Sequence, residues 1–238
     1  MLSPSQNQGS WAKLRQVVIG TTDHEADVAA ARRAFGLGQG FADPEVAHLS
    51  LVDATLPVAP GRYLEFVAPT DDTISFAKWL AKIGGRGGYV LSVQHPDPHA
   101  VKARAEARGI RVPIDVEAFG KPVVQIHPKD VGLLLEVDGI TDPDVWFWDD
   151  VDPGPEPGAG ISDILAVEVP VEDPVAMAQL WHDLLDIGEP ATPGEVDLGG
   201  VTVRFVGGGP SANWTVLLRR APPDAADPEL PGITFRLV

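Results

Sequence analysis

Three stretches of the chain repeat the same order of hydrophobic and polar positions. Each begins with an apolar, β-branched run that predicts a strand, continues with an Asp and a helical segment, and ends at a Gly. Asp accepts a hydrogen bond from the free amides of a first helical turn, and Gly adopts the left-handed conformation that ends a helix. Both residue types recur at intervals of about 75 residues, at Asp23, Asp97, Asp173, Gly36, Gly109 and Gly188. The spacing indicates three copies of one structural unit.

Each predicted helix is followed by short apolar runs rather than by another helix. β-branched residues and bounding Gly or Pro favour strands in these runs. The runs lie at 47–52, 62–67, 110–112, 123–127, 132–137, 201–206 and 214–218. The pattern therefore predicts an α+β fold built from βαβββ units.

The order of the elements divides the chain into four parts. Residues 1–13 are predicted to form an amino-terminal tail, and residues 14–150 a domain of two βαβββ units. Residues 151–160 alternate Pro and Gly, which suits neither helix nor sheet and predicts a linker. Residues 161–238 are predicted to form a third unit, with a last strand from Ile233 that opens a fourth unit and ends there. Because an unpaired unit exposes sheet edges, we expect the first two units or a second chain, in a homodimer, to cover it.

Composition narrows the class of partner. Lys and Arg number 18 against 34 Asp and Glu, a formal net charge of −16, which argues against a nucleic-acid partner because phosphates require a basic face. The absence of cysteine removes thiolate nucleophiles, cysteine zinc sites and iron–sulfur clusters. The first residues lack the pattern of a secretory signal, and no apolar run approaches the roughly 18 residues of a membrane span. These properties predict a soluble cytoplasmic protein without a membrane partner.

Two strand-like motifs resemble a known superfamily. They are the run 63–69, Tyr-Leu-Glu-Phe-Val-Ala-Pro, and the run 127–137, His-Pro-Lys-Asp-Val-Gly-Leu-Leu-Leu-Glu-Val. Together with the paired βαβββ units they resemble the vicinal oxygen chelate superfamily of glyoxalases, bleomycin-resistance proteins and dioxygenases, in particular its glyoxalase-like branch. The resemblance implies that two paired units form a cupped mixed sheet with the ligand site inside the cup.

The resemblance also implies four positions for metal ligands, in the first and last strand of each unit. Alignment places Gln16, Glu65, Tyr89 and Glu136 there. Gln16, Glu65 and Glu136 offer the oxygen ligands that a divalent ion such as Zn, Ni, Co or Mn accepts. A neutral phenol is a poor ligand, so Tyr89 breaks the family pattern. Three alternatives stay open at this point: a metal site with three protein ligands, a metal-free ligand pocket, and neither.

Two functions follow from these residues. The first is a protein that binds a small polar metabolite in the cup without a tightly held metal. The alternative is a divalent-metal-dependent lyase or isomerase of the glyoxalase I or methylmalonyl-CoA epimerase type, acting through an enediolate-like intermediate. The first function also includes an enzyme without a tightly held metal, in which one carboxylate acts as a base. Glu65 and Glu136 are the predicted catalytic groups in either enzyme. The residues predicted to contact substrate are Tyr63, Tyr89, His48, His127 and Lys129.

Two further features bear on the third unit. Alignment of its strands with the first unit places Leu218 opposite Glu65, so no metal half-site is expected there. The aromatic run Trp146-Phe147-Trp148 precedes the predicted linker. Three adjacent rings cannot all face one side of a strand, so they are predicted to pack either against the third unit or around a ligand.

Overall fold

The fold consists of two mixed β-sheets with helices, which confirms the predicted α+β class. The computed structural model describes residues 10–150, 160–220, 229–230 and 232–238. Most of the predicted tail and the predicted linker fall outside these ranges, so both stay predictions. No helix of the described residues is long and apolar enough to cross a membrane.

The amino-terminal sheet has seven strands in the order β2-β3-β1-β4-β7-β6-β5. The central strands β1 and β4 are antiparallel, and each has a parallel neighbour, β3 and β7. The two halves of the sheet are therefore related by an approximate twofold axis between β1 and β4. The strands are β1 (Lys13–Thr21), β2 (Leu51–Ala59), β3 (Arg62–Pro69), β4 (Arg86–His95), β5 (Ile114–Ala118), β6 (Lys121–Ile126) and β7 (Leu134–Gly139).

The helices begin and end largely where the Asp and Gly residues predict. The Asp97 and Asp173 carboxylates accept backbone N–H bonds of 2.9 Å and 3.0 Å from the third residue beyond, which is N-capping geometry. Gly36 ends the first helix in the left-handed conformation, with φ 65°. The helices are α1 (His24–Phe35), α2 (Ser75–Ile83), α3 (Pro98–Ala107), α4 (Pro128–Val131) and α5 (Pro174–Leu185), with a 3₁₀ helix at Pro44–Leu49.

The first unit differs from its predicted βαβββ order. The strand predicted at 47–52 is wrong in its first half, because Pro44–Leu49 is a 3₁₀ helix started by the Asp43 side chain. A single bridge between Phe41 and Thr55 stands where the second unit has β5 paired to β6. Helix α2 was not predicted, although Phe76 and Leu80 are four residues apart and both buried.

The carboxy-terminal sheet has six strands in the order β12-β13-β11-β8-β10-β9. It repeats the plan of the first sheet: β8 and β11 are antiparallel at the centre, and β10 and β13 are their parallel neighbours. The fourth unit therefore starts at β11, and the last strand closes it rather than opening it, which corrects the prediction. The strands are β8 (Ile161–Val171), β9 (Glu195–Asp197), β10 (Thr202–Gly207), β11 (Thr215–Arg220), β12 (Glu229–Leu230) and β13 (Ile233–Leu237).

This topology changes the residue that corresponds to Glu65. Glu65 of β3 pairs with Val18 of β1. The corresponding parallel strands of the second sheet are β10 and β8, and there Arg204 pairs with Glu168. The counterpart of Glu65 is therefore Arg204, not Leu218. Its guanidinium binds two carboxylates, Glu168 at 2.8 Å and Glu195 at 2.7 Å. An arginine held by two acids is not a metal ligand, and the absence of a metal half-site in this sheet stays a prediction.

One hydrophobic core joins the two sheets, so the second pair of units covers the outer face of the first. The core includes Val17 and Leu91 of the first sheet together with Val167 and Val216 of the second. Helix α5 lies at this junction and contributes Trp181, whose indole N–H donates to the Val131 carbonyl at 3.0 Å. The opposite face of the first sheet is left free to form a cavity.

Candidate functional site

A cavity of about 440 Å³ lies on the face of the amino-terminal sheet that is turned away from the shared core. Both halves of the sheet line it. Five of its lining residues are acidic: Asp43, Glu45, Glu65, Glu136 and Asp138. Five are aromatic: Phe76, Tyr89, Phe119, Phe147 and Trp148. No Lys, Arg or His of the described residues lines it.

Glu65 and Glu136 occupy equivalent positions in the two halves. Glu65 on β3 pairs with Val18 of the central strand β1. In the other half, Glu136 on β7 pairs with Ser92 of the central strand β4, and the twofold axis relates these two pairs. Because side chains alternate along a strand, both carboxyls point to the cavity face. The strands thus bring together two acids that are 71 residues apart in sequence.

Each of these carboxyls is held by a glutamine amide. The Gln16 side-chain N–H donates to Glu65, and the Gln125 side-chain N–H donates to Glu136 at 2.6 Å. The Trp148 indole N–H donates to the Gln16 amide oxygen at 3.2 Å, which leaves the Gln16 nitrogen facing Glu65. The orientation of Glu65 therefore depends on a three-residue chain of hydrogen bonds.

Burial dominates the electrostatics of the cavity floor. It raises the pKa of Glu65 well above the ordinary value, and the nearby charges of Asp53 and Glu136 raise it further. Burial also raises the pKa of Glu136. Asp138 accepts a 2.5 Å bond from the Ser92 hydroxyl, yet burial and the charge of Glu136 raise its pKa well above the ordinary value. The floor therefore favours a partly protonated set of carboxyls.

A β-bulge changes the position predicted for Tyr89. Val18 pairs with Val90 and Ile19 with Gly88, so Tyr89 is skipped in the ladder between β1 and β4. The position equivalent to Gln16 is therefore Val90, not Tyr89. The bulge turns both Tyr89 and Val90 towards the cavity, whereas Leu91 lies in the shared core.

Tyr89 nevertheless lines the cavity as a neutral phenol. Its ring lies against Phe76, with centroids 4.2 Å apart, and against Trp79 at 5.3 Å. Burial and the charge of Glu136 raise the pKa of Tyr89 to about 12. The hydroxyl therefore remains a hydrogen-bond donor throughout the neutral range.

The donor set fits a divalent metal poorly. Valine stands where a fourth ligand would be needed, and the three oxygen donors left are Gln16, Glu65 and Glu136. The Gln16 oxygen accepts from Trp148, and both carboxylates accept from glutamine amides. Among the residues that the structure describes, no group of three or more His, Asp or Glu side chains could hold a metal ion.

An aromatic cluster closes one end of the cup, and Tyr63, a predicted substrate contact, lies within it. Tyr63 is completely buried among Ile140, Trp146 and Trp148, and it does not line the cavity. Of the two alternatives for the aromatic run 146–148, the ligand wall agrees with the positions of Phe147 and Trp148, which both line the cavity. The cluster includes no residue of the third unit.

The structure places three other predicted substrate contacts away from the cavity. His48 lies exposed on the 3₁₀ helix, because that segment is not the predicted strand. His127 caps α4 by accepting the Lys129 backbone N–H at 3.2 Å, and neither residue lines the cavity. The motif forms a capping turn between β6 and β7, away from the cavity, and its contact with substrate stays a prediction.

Sequence reasoning missed several lining residues. Asp138 follows Glu136 by two positions on β7, so the period of a strand would have placed it on the same face. Ser92 and Gln125 reach the cavity through strand pairing with the residues of β7, which no local pattern reveals. The same holds for Phe119, at the turn between β5 and β6.

Comparison with known proteins relates the chain to one group of enzymes. No family model matches it. An ethylmalonyl-CoA/methylmalonyl-CoA epimerase from Cereibacter sphaeroides is 29% identical over 134 residues, which cover 54% of this chain and 98% of that protein. A solved structure, methylmalonyl-CoA epimerase in complex with methylmalonyl-CoA and NH4+, is 25% identical to this chain and has a TM-score of 0.48. The match covers 54% of this chain and 94% of the epimerase chain.

A methylmalonyl-CoA epimerase from Mycobacterium tuberculosis is 26% identical, with 58% of this chain and 91% of that chain covered and a TM-score of 0.45. Methylmalonyl-CoA epimerase belongs to the vicinal oxygen chelate superfamily, so the sequence similarity supports the resemblance at that level. The α+β architecture described above agrees with it.

Proposed function

We propose that the cup of the amino-terminal sheet is the active site of an isomerase, in which Glu65 and Glu136 move a proton at a carbon next to a carbonyl. One observation carries the proposal: two carboxyls at twofold-equivalent positions face the same cavity, each oriented by a glutamine amide. The similarity to epimerases supports the reaction class.

Inversion at such a carbon requires an acid and a base on opposite faces. One carboxylate removes the proton, and a protonated carboxyl delivers a proton from the other side. Glu65 and Glu136 come from opposite halves of the sheet and flank the β1–β4 axis. Because the charge of Glu136 raises the pKa of Glu65, the pair favours one proton shared between two sites, which is the state that the reaction needs.

The enolate oxygen formed in this reaction needs hydrogen-bond donors. Tyr89 supplies a phenol that stays protonated, and burial raises the pKa of Asp138 well above its ordinary value, which favours the neutral carboxyl. A neutral carboxylic acid and a phenol in an apolar site can together stabilise such an oxyanion. The chain's own residues therefore provide base, acid and oxyanion donors within one cavity.

The charge of the cavity restricts the substrate. Its described lining contains acids and no basic side chain, so a carboxylate on the substrate would meet repulsion and no counter-ion. We infer that the reacting part of the substrate is neutral or cationic. This differs from the methylmalonyl group in the name of the relatives, which carries a free carboxylate.

A matched pair of thioesters tests both the reaction and the charge inference. The N-acetylcysteamine thioester of methylmalonate and its monomethyl ester differ only in the carboxylate. We expect the protein to accelerate deuterium incorporation at C2 of the ester over its rate in D₂O buffer, and to leave the acid unaffected, as followed by proton NMR. Faster exchange of the acid than of the ester would contradict the charge inference.

A second candidate function is binding without catalysis. The hydrogen bonds that Gln16 and Gln125 already make to the two carboxyls, and the five aromatic lining residues, favour it. The same NMR samples separate the two functions, because saturation transfer from protein to thioester reports binding directly. Binding of either thioester without protein-dependent exchange at C2 would overturn the isomerase proposal in favour of a binding protein.

A further inference from the structure

Phe119 occupies a turn position that an aromatic residue rarely adopts. The pair Ala118 and Lys121 closes a two-residue loop between β5 and β6. Both loop residues have positive φ, 50° at Phe119 and 69° at Gly120. This is the geometry of a type I′ hairpin turn, whose first position favours Asn, Asp or Gly because a bulky side chain is strained there. Local structure alone therefore does not account for Phe119.

The Phe119 side chain lies at the mouth of the cavity. Half of it is exposed, and the ring contacts two residues of the aromatic run, Phe147 with centroids 5.9 Å apart and Trp148 at 5.5 Å in an edge-on arrangement. All three rings line the cavity. The hairpin tip and the segment after β7 thus meet at this opening through their aromatic side chains.

Other exposed apolar side chains surround the same opening. Val116 on β5 is 52% exposed and Leu49 on the 3₁₀ helix is 59% exposed, and both line the cavity. Large apolar side chains gathered at one cavity mouth are typical of a ligand-binding rim. The acidic floor and the apolar rim therefore contact different parts of a ligand.

We propose that Phe119 determines specificity by forming an aromatic clamp with Phe147 and Trp148. The clamp binds a planar, unsaturated or aromatic group of the ligand that extends from the carbon held at the floor. Offset or edge-on stacking on such rings favours flat groups over alkyl chains of similar size. This inference deepens the proposed function by naming the second part of its substrate, and it rests on the ligand occupying the same cavity.

Two probes measure the preference without catalysis. They are the S-benzyl and S-cyclohexylmethyl thioesters of monomethyl methylmalonate, which share the floor-binding part and carry groups of similar size at the mouth, one planar and one not. We expect the protein to bind the benzyl probe about tenfold more tightly in NMR titrations, a difference of about 1.4 kcal/mol. Equal affinities, or no binding of the benzyl probe, would overturn the clamp. Because affinity is measured, the result is independent of whether either probe exchanges deuterium.

The Phe119→Asn variant separates a binding role from a structural one. Asn suits the turn, so we expect the thermal midpoint to be unchanged or higher, while the preference for the benzyl probe falls to about twofold or less. Phe119→Tyr keeps the ring and should keep the preference. Val145→Asn removes an exposed apolar side chain that does not line the cavity and is the matched control. A lower midpoint in Phe119→Asn with the preference intact would show that Phe119 is structural.

Discussion

Glu65→Gln and Glu136→Gln should each lower the rate of inversion by a factor of about 10²–10⁴, the contribution expected of a positioned acid or base. Each variant keeps one carboxyl, which can still remove and return a proton on its own face. We therefore expect deuterium exchange with retention of configuration to survive for one enantiomer only, and for opposite enantiomers in the two variants. Chiral separation after incubation in D₂O measures both outcomes.

The matched control is Glu117→Gln, the same change at an exposed residue of β5 that does not line the cavity. It should keep the wild-type rate of inversion. Loss of inversion in only one of the two cavity variants would contradict a two-carboxyl mechanism and leave a single acid–base residue. Equal loss in Glu117→Gln would show that the substitutions act through net charge.

The pH dependence of the same pair has a defined sign. Activity requires one protonated and one ionised carboxyl, so it should fall at low pH, where no base remains, and at high pH, where no acid remains.

Because the folded-state pKa of Glu65 is raised, the folded protein holds more protons than the unfolded chain, and this contribution to stability is lost as pH rises through the folded pKa. Glu65→Gln should therefore flatten the pH dependence of the unfolding free energy between the ordinary pKa of a Glu and the raised pKa of Glu65 in the folded protein.

Gly88→Ala should lower the free energy of unfolding by about 3 kcal/mol, at the upper end of the range for overpacked sites. A Cβ at Gly88 would lie 1.8 Å from Cδ2 of the Trp214 indole. Trp214 is buried and cannot move freely, because its N–H donates to the Ser211 carbonyl at 2.8 Å. The Gly88 backbone N–H itself donates to the Ala212 carbonyl at 2.8 Å, so β4 is in backbone contact with the loop that leads into β11.

Urea unfolding followed by tryptophan fluorescence measures this loss. Gly207→Ala is the control, because a Cβ there would meet nothing within 4 Å and its φ is not positive. Its unfolding free energy should stay within about 0.5 kcal/mol of the wild type. A loss below about 1 kcal/mol in Gly88→Ala would mean that the junction between the sheets yields easily, contrary to the packing described.

The sequence predicts three of the helices, α1, α3 and α5, because the ends of these helices are set by local residues. Asp97 and Asp173 cap helices through bonds to residues three positions away, and Gly36 ends one through its own φ. These interactions span a single turn, so residue order is enough to locate them. The same reasoning identified the repeat and, through it, the α+β fold and the equivalence of Glu65 and Glu136.

Strand partners and cavity faces depend on distant residues and were decided only by the tertiary structure. The runs that become β10 and β11 have the same local pattern, and pairing to β8 alone shows that β10 corresponds to β3. That correspondence made Arg204, not Leu218, the counterpart of Glu65.

Alignment with the superfamily predicted Tyr89 as the counterpart of Gln16. The ladder between β1 and β4 pairs Gln16 with Ser92 and Val18 with Val90, so that position belongs to Val90, one residue further along. A one-residue shift moves every side chain beyond it to the other face, because the period of a strand is two. The sequence by itself therefore determined the units and the two acids that they place in equivalent positions. Only the pairing of the strands decided that these acids share an acidic, aromatic cavity with a valine where a metal ligand would stand.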